Sequence, residues 1–183
     1  MGFVQTNGAK NSQKTNSLPP LVVDADGLKL LAKMNDWQKL LPTHSILTPH
    51  PGEMSVLTGI PTEKIQRERL KIASDFSAQW GHVVVLKGAF TIIAAPDGRT
   101  TTIPIATPAL ARAGTGDVLA GVITGLRAQG LNAYDSARLG AFIHAQAGLV
   151  AAEIQGSTAA VLAGDVLNAV ADVVAELEWD IPG

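Results

Sequence analysis

The sequence has no cysteine. That excludes disulfides, thiol nucleophiles and cysteine zinc sites, and it leaves the compartment open. Aromatic residues make up only 4% of the chain, so a core has to be built from Ala, Val, Leu and Ile. Neither sign of charge dominates: 14 basic residues face 16 acidic ones, for a net charge of −2. Without a basic stripe the electrostatic footprint of nucleic-acid or membrane-surface binding is missing. No apolar run reaches the ~18 residues needed to cross a bilayer, and the first residues lack the apolar stretch of a secretory signal. A cytoplasmic location is the default expectation. What is present is a 46% hydrophobic chain of 183 residues, enough for one domain with a sizeable core.

Residues 1–17 are polar, rich in Asn, Gln, Thr, Ser and Lys, and read as a tail or linker. Residues 18–183 read as a single domain. Short apolar strands are expected at 21–23, 45–48 and 82–87. The first two are each followed by a helical pattern, the second of these starting near Glu53. A charged amphipathic helix is expected over 62–80, with Thr62 as N-cap and Ile65, Leu70, Ile72, Ala73 and Phe76 on its apolar face. The pair 91–95 and 100–105, joined by Pro96-Asp97-Gly98, carries a hairpin signal. Helices are expected over 118–129, 133–154 and 163–177. This order gives an α/β fold, mostly parallel, with an antiparallel addition. Trp37, Trp80 and Trp179 look too dispersed to form a stacking platform, and His44, His82 and His144 read as surface or core residues.

The segment Ala113-Gly114-Thr115-Gly116-Asp117 opens an apolar helix. Two glycines one residue apart permit a tight turn whose N–H groups, Gly114, Thr115 and Gly116 included, can face an anion. The helix adds the positive end of its dipole. Asp117, in the first helical turn, could take a proton from a substrate hydroxyl. It would serve equally as an ordinary helix-start acid. The segment lacks the Gly-Lys-Ser/Thr ending of a Walker loop, and Ala120 stands where the dinucleotide fingerprint has its third glycine.

Two more clusters carry polar groups at strand ends. In Thr48-Pro49-His50-Pro51-Gly52-Glu53, two prolines fix a turn. His50 could bond a ligand amide or phosphate there, and Glu53 could orient water around a nucleotide-bound Mg²⁺. Alternatively, the prolines stop the strand and Glu53 supports the helix start. Lys87 closes a triple-valine strand, where a charge needs a partner; a nucleotide phosphate would be one. Gly88 would let the backbone approach it. Asp24 and Asp26 follow the first strand and are expected at the same sheet edge, touching substrate or capping the next helix.

Taken together, the Val23-to-Leu28, Leu47-to-Glu53, Leu86-to-Thr91 and Ala113-to-Gly121 motifs resemble those of the NAD(P)H-hydrate dehydratase family. The likeness covers about residues 21–175, and the Pro-His-Pro-Gly-Glu turn is its most specific part. The resemblance implies a ribokinase-like three-layer α/β/α fold. It implies dehydration of hydrated NADH or NADPH coupled to hydrolysis of ADP or ATP with Mg²⁺. It assigns His50 to the substrate, Lys87, Gly88, Ala89, Phe90 and Thr91 to the adenine nucleotide, Gly116 to the nucleotide as well, and Asp117 as base beside the substrate. Homo-oligomers, tetramers in the family, are a further implication.

Thr107 stands where the family usually has asparagine before Pro108. Family members also begin with a Gly- and Ala-rich region ahead of the Asp-Ala-Asp segment, whereas only the polar stretch precedes Leu18 here. The front strands are therefore expected to be missing. Two other readings stand beside it: a hydroxyethylthiazole kinase-like enzyme, which would share Asp117 and the glycine turn but should not need His50, and an inactive nucleotide-binding fragment, which the expected missing front supports.

Overall fold

The computed structural model describes residues 18–179, with side chains as far as Leu177; the polar 1–17 segment lies outside the described residues. In chain order the elements are β1 (Val22–Val23), α1 (Asp26–Leu31), β2 (Ile46–Leu47), α2 (Pro51–Thr58), α3 (Thr62–Arg67), α4 (Arg69–Trp80), β3 (Val83–Leu86), β4 (Ile92–Ala94), β5 (Thr100–Thr102), α5 (Thr115–Ala128), α6 (Ala133–Gln155) and α7 (Ala163–Trp179). Short 3-10 turns occupy Trp37–Lys39 and Pro108–Leu110.

The strands form one sheet in the order β1-β2-β3-β4-β5. β1, β2 and β3 are parallel, with Val22 opposite Ile46 and Ile46 opposite Val83. β4 turns back antiparallel on β3, and β5 reverses again, so β4 alone runs against the common direction. Side chains alternate across the sheet as the strand period requires. Val83, Val85 and Ile93 join Leu119 of α5 and Ala137 and Ala141 of α6 in one core. Val84, Leu86 and Ile92 join Leu28, Met54, Ile65 and Ile72 of α1–α4 in another. Helices therefore cover both faces, which explains why β3 is apolar at every position. A third apolar cluster ties α6 to α7 through Ala147, Ala151, Val166 and Val173. Among the described residues, no helix is long and apolar enough to cross a membrane.

Four expectations need correction. The 62–80 helix is two helices, broken at Glu68, whose φ of −120° leaves the helical region. The residues favour helix throughout, but packing decides: α3 lies on α2, whereas α4 runs along β3 and β4. Thr62 is already inside α3, after Pro61, and its side chain makes no capping bond; Leu70 is on the exposed side of α4. Trp37 and Trp80 are not dispersed. They meet edge to face with centroids 5.0 Å apart, with Phe76 beside Trp80, so they fill the core instead of presenting a surface for bases.

Candidate active site

The parallel pairing of β1, β2 and β3 brings their carboxyl ends, and the residues just beyond them, to one edge. That edge is where open α/β sheets bind ligands. Asp24 follows β1, Thr48 follows β2 and Lys87 follows β3. The Asp24 carboxylate accepts from Thr48 Oγ1 at 2.7 Å and from Lys87 Nζ at 2.6 Å. Glu53 Oε2 lies 3.7 Å from the same ammonium. The Lys87, Asp24 and Glu53 side chains are only 17%, 12% and 5% exposed. The charge at the strand end thus has its partners within the chain. Its nearest one lies 63 residues away in sequence, which is why local reading turned to a phosphate. Asp26, expected at the same edge, instead points outward and pairs with Lys29 at 2.9 Å. Ala25, at φ 49°, turns the chain between the two aspartates.

His50 is the N-cap of α2. Its ring Nδ1 accepts from the N–H groups of Gly52 and Glu53, at 3.0 and 3.2 Å, while Glu53 Oε2 accepts from the His50 N–H at 2.8 Å. This is a reciprocal capping box with an imidazole in place of a hydroxyl. An accepting Nδ1 carries no proton, so the ring presents Nε2–H, which faces Glu53 Oε1 at 3.4 Å. Glu53, expected to orient water at Mg²⁺, is buried and already serves both the cap and Lys87. Gly52 is needed at its place because a Cβ there would stand 2.9 Å from His50 Cε1. Gly52→Ala is expected to push the ring out of the cap and cost about 1 kcal/mol, the usual worth of an N-cap. In a His50→Ala background the same change should be neutral or stabilising, and urea unfolding of the four proteins checks this coupling.

α5 begins at Thr115 after Gly114, whose φ of 87° is left-handed and favours glycine. Thr115, expected in the anion turn, has its hydroxyl turned inward, donating to Leu110 O and Arg112 O at 2.8 Å each. The Thr115 and Asp117 N–H groups bond Arg112 O and Gly114 O, which leaves the Gly114 and Gly116 N–H groups as donors of the turn among the described residues. Gly116 also approaches the ion cluster. A Cβ on it would stand 3.4 Å from Lys87 Nζ and 3.7 Å from Asp24 Oδ2. An ammonium, a free N–H and the start of a 14-residue helix therefore converge at one place. Asp117, next along the chain, is exposed in the first turn.

Beside this cluster lies a cavity of about 430 Å³ whose walls include Lys87, Gly88, Thr91, Thr107, Gly116 and His144. This volume suits a nucleoside-sized ligand. Ala89 also lines it. Phe90 does not: it sits at φ 55° with its ring half-exposed. Thr91 Oγ1 donates to Gly88 O at 3.0 Å and closes the loop on itself. Thr107, in place of the family's asparagine, caps the Pro108–Leu110 turn by accepting from Ala109 N–H. Among the described residues, no group of three or more His, Cys, Asp or Glu could hold a metal ion.

The sequence leaves His144 as a surface or core residue and gives Arg69 no role. His144 is buried on α6, and its ring nitrogen Nε2 bonds Thr115 O at 2.8 Å, so it braces the first turn of α5. The only signal was a lone histidine on an alanine-rich helix. Burial pushes its pKa down to about 4. The unfolded chain takes up this proton near 6.5, the folded chain only near 4. Stability is therefore full above that window and falls as pH drops through it, by up to about 3 kcal/mol. His82 is lowered by burial too and adds in the same direction. His144→Gln keeps a donor near Thr115 O. Urea unfolding at about pH 7 and about pH 4.5 should show a smaller acid loss in that variant than in the wild type.

The family model described as NAD(P)H-hydrate dehydratase matches residues 2–171. The chain belongs to the NAD(P)H-hydrate dehydratase family. It is 46% identical over 164 residues to the bifunctional NAD(P)H-hydrate repair enzyme Nnr of Moorella thermoacetica, covering 88% of this chain and 30% of that protein. It is 38% identical over 152 residues to the ADP-dependent (S)-NAD(P)H-hydrate dehydratase of Neisseria meningitidis, covering 82% of this chain and 51% of that one. The chain thus spans between about a third and a half of the length of these relatives.

Among solved structures, it matches the ADP/ATP-dependent NAD(P)H-hydrate dehydratase of Bacillus subtilis, co-crystallized with ATP/Mg²⁺. The TM-score is 0.73 at 32% identity, over 86% of this chain and 55% of that one. A ribokinase-like superfamily protein of Enterococcus faecalis shares the fold with a TM-score of 0.71 at 24% identity, over 91% of this chain and 55% of that one. The fold is ribokinase-like, and these relatives favour the dehydratase reading over the hydroxyethylthiazole kinase-like one.

Proposed function

We propose that this chain dehydrates hydrated NADH or NADPH back to the reduced dinucleotide, driven by hydrolysis of ADP or ATP. The observation that carries this reading is the approach of Gly116 to the Lys87–Asp24 pair, in the wall of a cavity that Gly88, Ala89 and Thr91 also line. An adenine nucleotide in that cavity would have its phosphates beside Lys87 Nζ, the Gly116 N–H and the α5 N-terminus. His50 and Asp24 stand at the same edge for the hydrated nicotinamide. A cytoplasmic location and a homo-oligomeric state belong to the same reading.

Asp117 acts as base. The hydroxyl oxygen of the hydrate bonds to the terminal phosphorus as that atom's bond to the bridging oxygen breaks, releasing AMP from ADP or ADP from ATP. The hydroxyl proton passes to the Asp117 carboxylate. Lys87 and Gly116 N–H hold the charge that develops on the phosphoryl oxygens. The ring C–O bond then breaks, phosphate leaves with the electron pair, and the ring nitrogen's lone pair compensates. Loss of the proton on the neighbouring ring carbon restores the double bond. Mg²⁺ bound with the nucleotide would withdraw charge from the phosphate oxygens. The donor set fits an ion that the phosphates themselves hold, because Asp24 and Glu53 already neutralise Lys87.

The discriminating experiment offers the protein ADP or ATP with Mg²⁺ and, separately, NADH hydrate or hydroxyethylthiazole. Free phosphate released only with the hydrate supports the dehydratase. A stable phosphorylated alcohol formed from hydroxyethylthiazole would replace it with the kinase reading.

A further inference from the structure

The Lys87–Thr91 segment is held from the side opposite its cavity. The cavity lies on the α5 and α6 face, where Leu119, Ala141 and Ala145 line it. α4 packs on the other face, with Ile72 and Ala73 against Val84 and Leu86. Arg69 opens α4 and reaches the end of β3. Its Nη2 donates to Leu86 O at 3.0 Å and to Lys87 O at 3.4 Å, and its Nη1 donates to Lys87 O at 3.4 Å and to Gln66 Oε1 at 3.2 Å. The guanidinium also lies under Gly88, where a Cβ would stand 3.0 Å from Nη1. Gly88 has φ 140°, so both its backbone conformation and its neighbour call for glycine.

No carboxylate pairs with Arg69 among the described residues. Partial burial holds its pKa below the usual arginine range, and its protein partners are the Leu86 and Lys87 carbonyls and the Gln66 amide oxygen. Such an arrangement is a structural clamp on two consecutive carbonyls. A planar guanidinium fits it, because several donors lie in one plane with fixed directions; a lysine ammonium has no such fork.

We propose that Arg69 is the positioning residue of the nucleotide-binding segment. By fixing the Leu86 and Lys87 carbonyls it sets the direction in which the Lys87 side chain leaves the strand, toward Asp24 and Gly116. It also sets the path of Gly88 to Thr91 along the cavity wall. It acts from the far face of the sheet and does not touch the nucleotide. The proposal rests on the reading of this segment as the nucleotide site.

The test uses the chain with Arg69→Met and Arg69→Lys. Amide hydrogen exchange without nucleotide comes first. In Arg69→Met the amides of Gly88 to Thr91 should exchange about tenfold faster, while α5 and α6 keep wild-type rates. Titration calorimetry with ADP and Mg²⁺ comes second, and affinity should fall by about tenfold in Arg69→Met, with Arg69→Lys in between. Steady-state rates should show the nucleotide KM rising more than the hydrate KM.

A uniform rise in exchange over the whole chain would overturn the proposal, since it marks loss of general stability. Unchanged ADP affinity alongside faster local exchange would overturn it too. If the wild-type protein binds no ADP, the nucleotide reading falls and takes the proposal with it. The exchange pattern still tells whether Arg69 holds the segment, so the two failures are distinguishable.

Discussion

Asp117→Asn is expected to lower turnover of the hydrate by about 10²–10⁴-fold, the range ascribed to a positioned general base. The asparagine keeps the size of the side chain and its ability to accept a hydrogen bond, but it cannot take the hydroxyl proton. Asp117 lies on the exposed first turn of α5, so the fold should lose about 0.5 kcal/mol or less. Binding of ADP should be unchanged or slightly tighter, because a negative charge next to the phosphate position has been removed. The KM for the nucleotide and kcat should therefore separate. Single-turnover measurement of phosphate release checks this directly. Turnover in Asp117→Asn equal to the wild type would remove Asp117 from the role of base.

Lys87→Met is expected to have the largest effect on stability. The ammonium lies 2.6 Å from Asp24 Oδ1 and 3.7 Å from Glu53 Oε2. Taking it away leaves two poorly hydrated carboxylates facing each other's charge, and breaking a buried pair from one side costs about 3–5 kcal/mol. The double variant Lys87→Met with Asp24→Asn should recover much of that loss, because one carboxylate goes with the ammonium and the Thr48 hydroxyl keeps an acceptor at position 24. Turnover should not return in the double variant, since the phosphoryl oxygens still lack their cation. Urea unfolding and turnover of the three variants separate the two roles of Lys87. A stable Lys87→Met would mean that the pair at the end of β3 contributes little to the fold.

The parts of the fold that were legible in the sequence are those set by local pattern. Val83-Val84-Val85-Leu86, apolar without alternation, announced a strand covered on both faces, and both cores do meet it. Pro96-Asp97-Gly98 announced the hairpin of β4 and β5. The long alanine-rich helix was readable from Ala133 on, where Asn132 accepts from Asp135 N–H and fixes the start. The break at Glu68 was not readable, because every residue around it favours helix and only the competing contacts of α3 and α4 oppose that preference.

In the site, each motif was visible but the connections among them were not. Nothing near Lys87 in sequence announces Asp24 or Glu53 as its partners. Nothing in a charged helix start distinguishes Arg69, which bonds Leu86 O, from its exposed neighbours. Nor does the Thr-Pro-His-Pro-Gly-Glu turn announce that the imidazole itself is the helix cap. These are long-range or side-chain-to-backbone contacts, and periodicity carries no record of them.

In the proposed function, the edge formed by Asp24, His50, Lys87, Gly116 and Asp117 dehydrates a hydrated nicotinamide at the expense of a nucleotide. The most direct measurement incubates the protein with NADH hydrate, Mg²⁺ and either ADP or ATP, and follows the return of NADH absorbance together with phosphate. NADH and phosphate should appear in equal amounts with at least one of the two nucleotides, and neither should form in its absence. No return of NADH with either nucleotide, from folded protein, would contradict the proposed function.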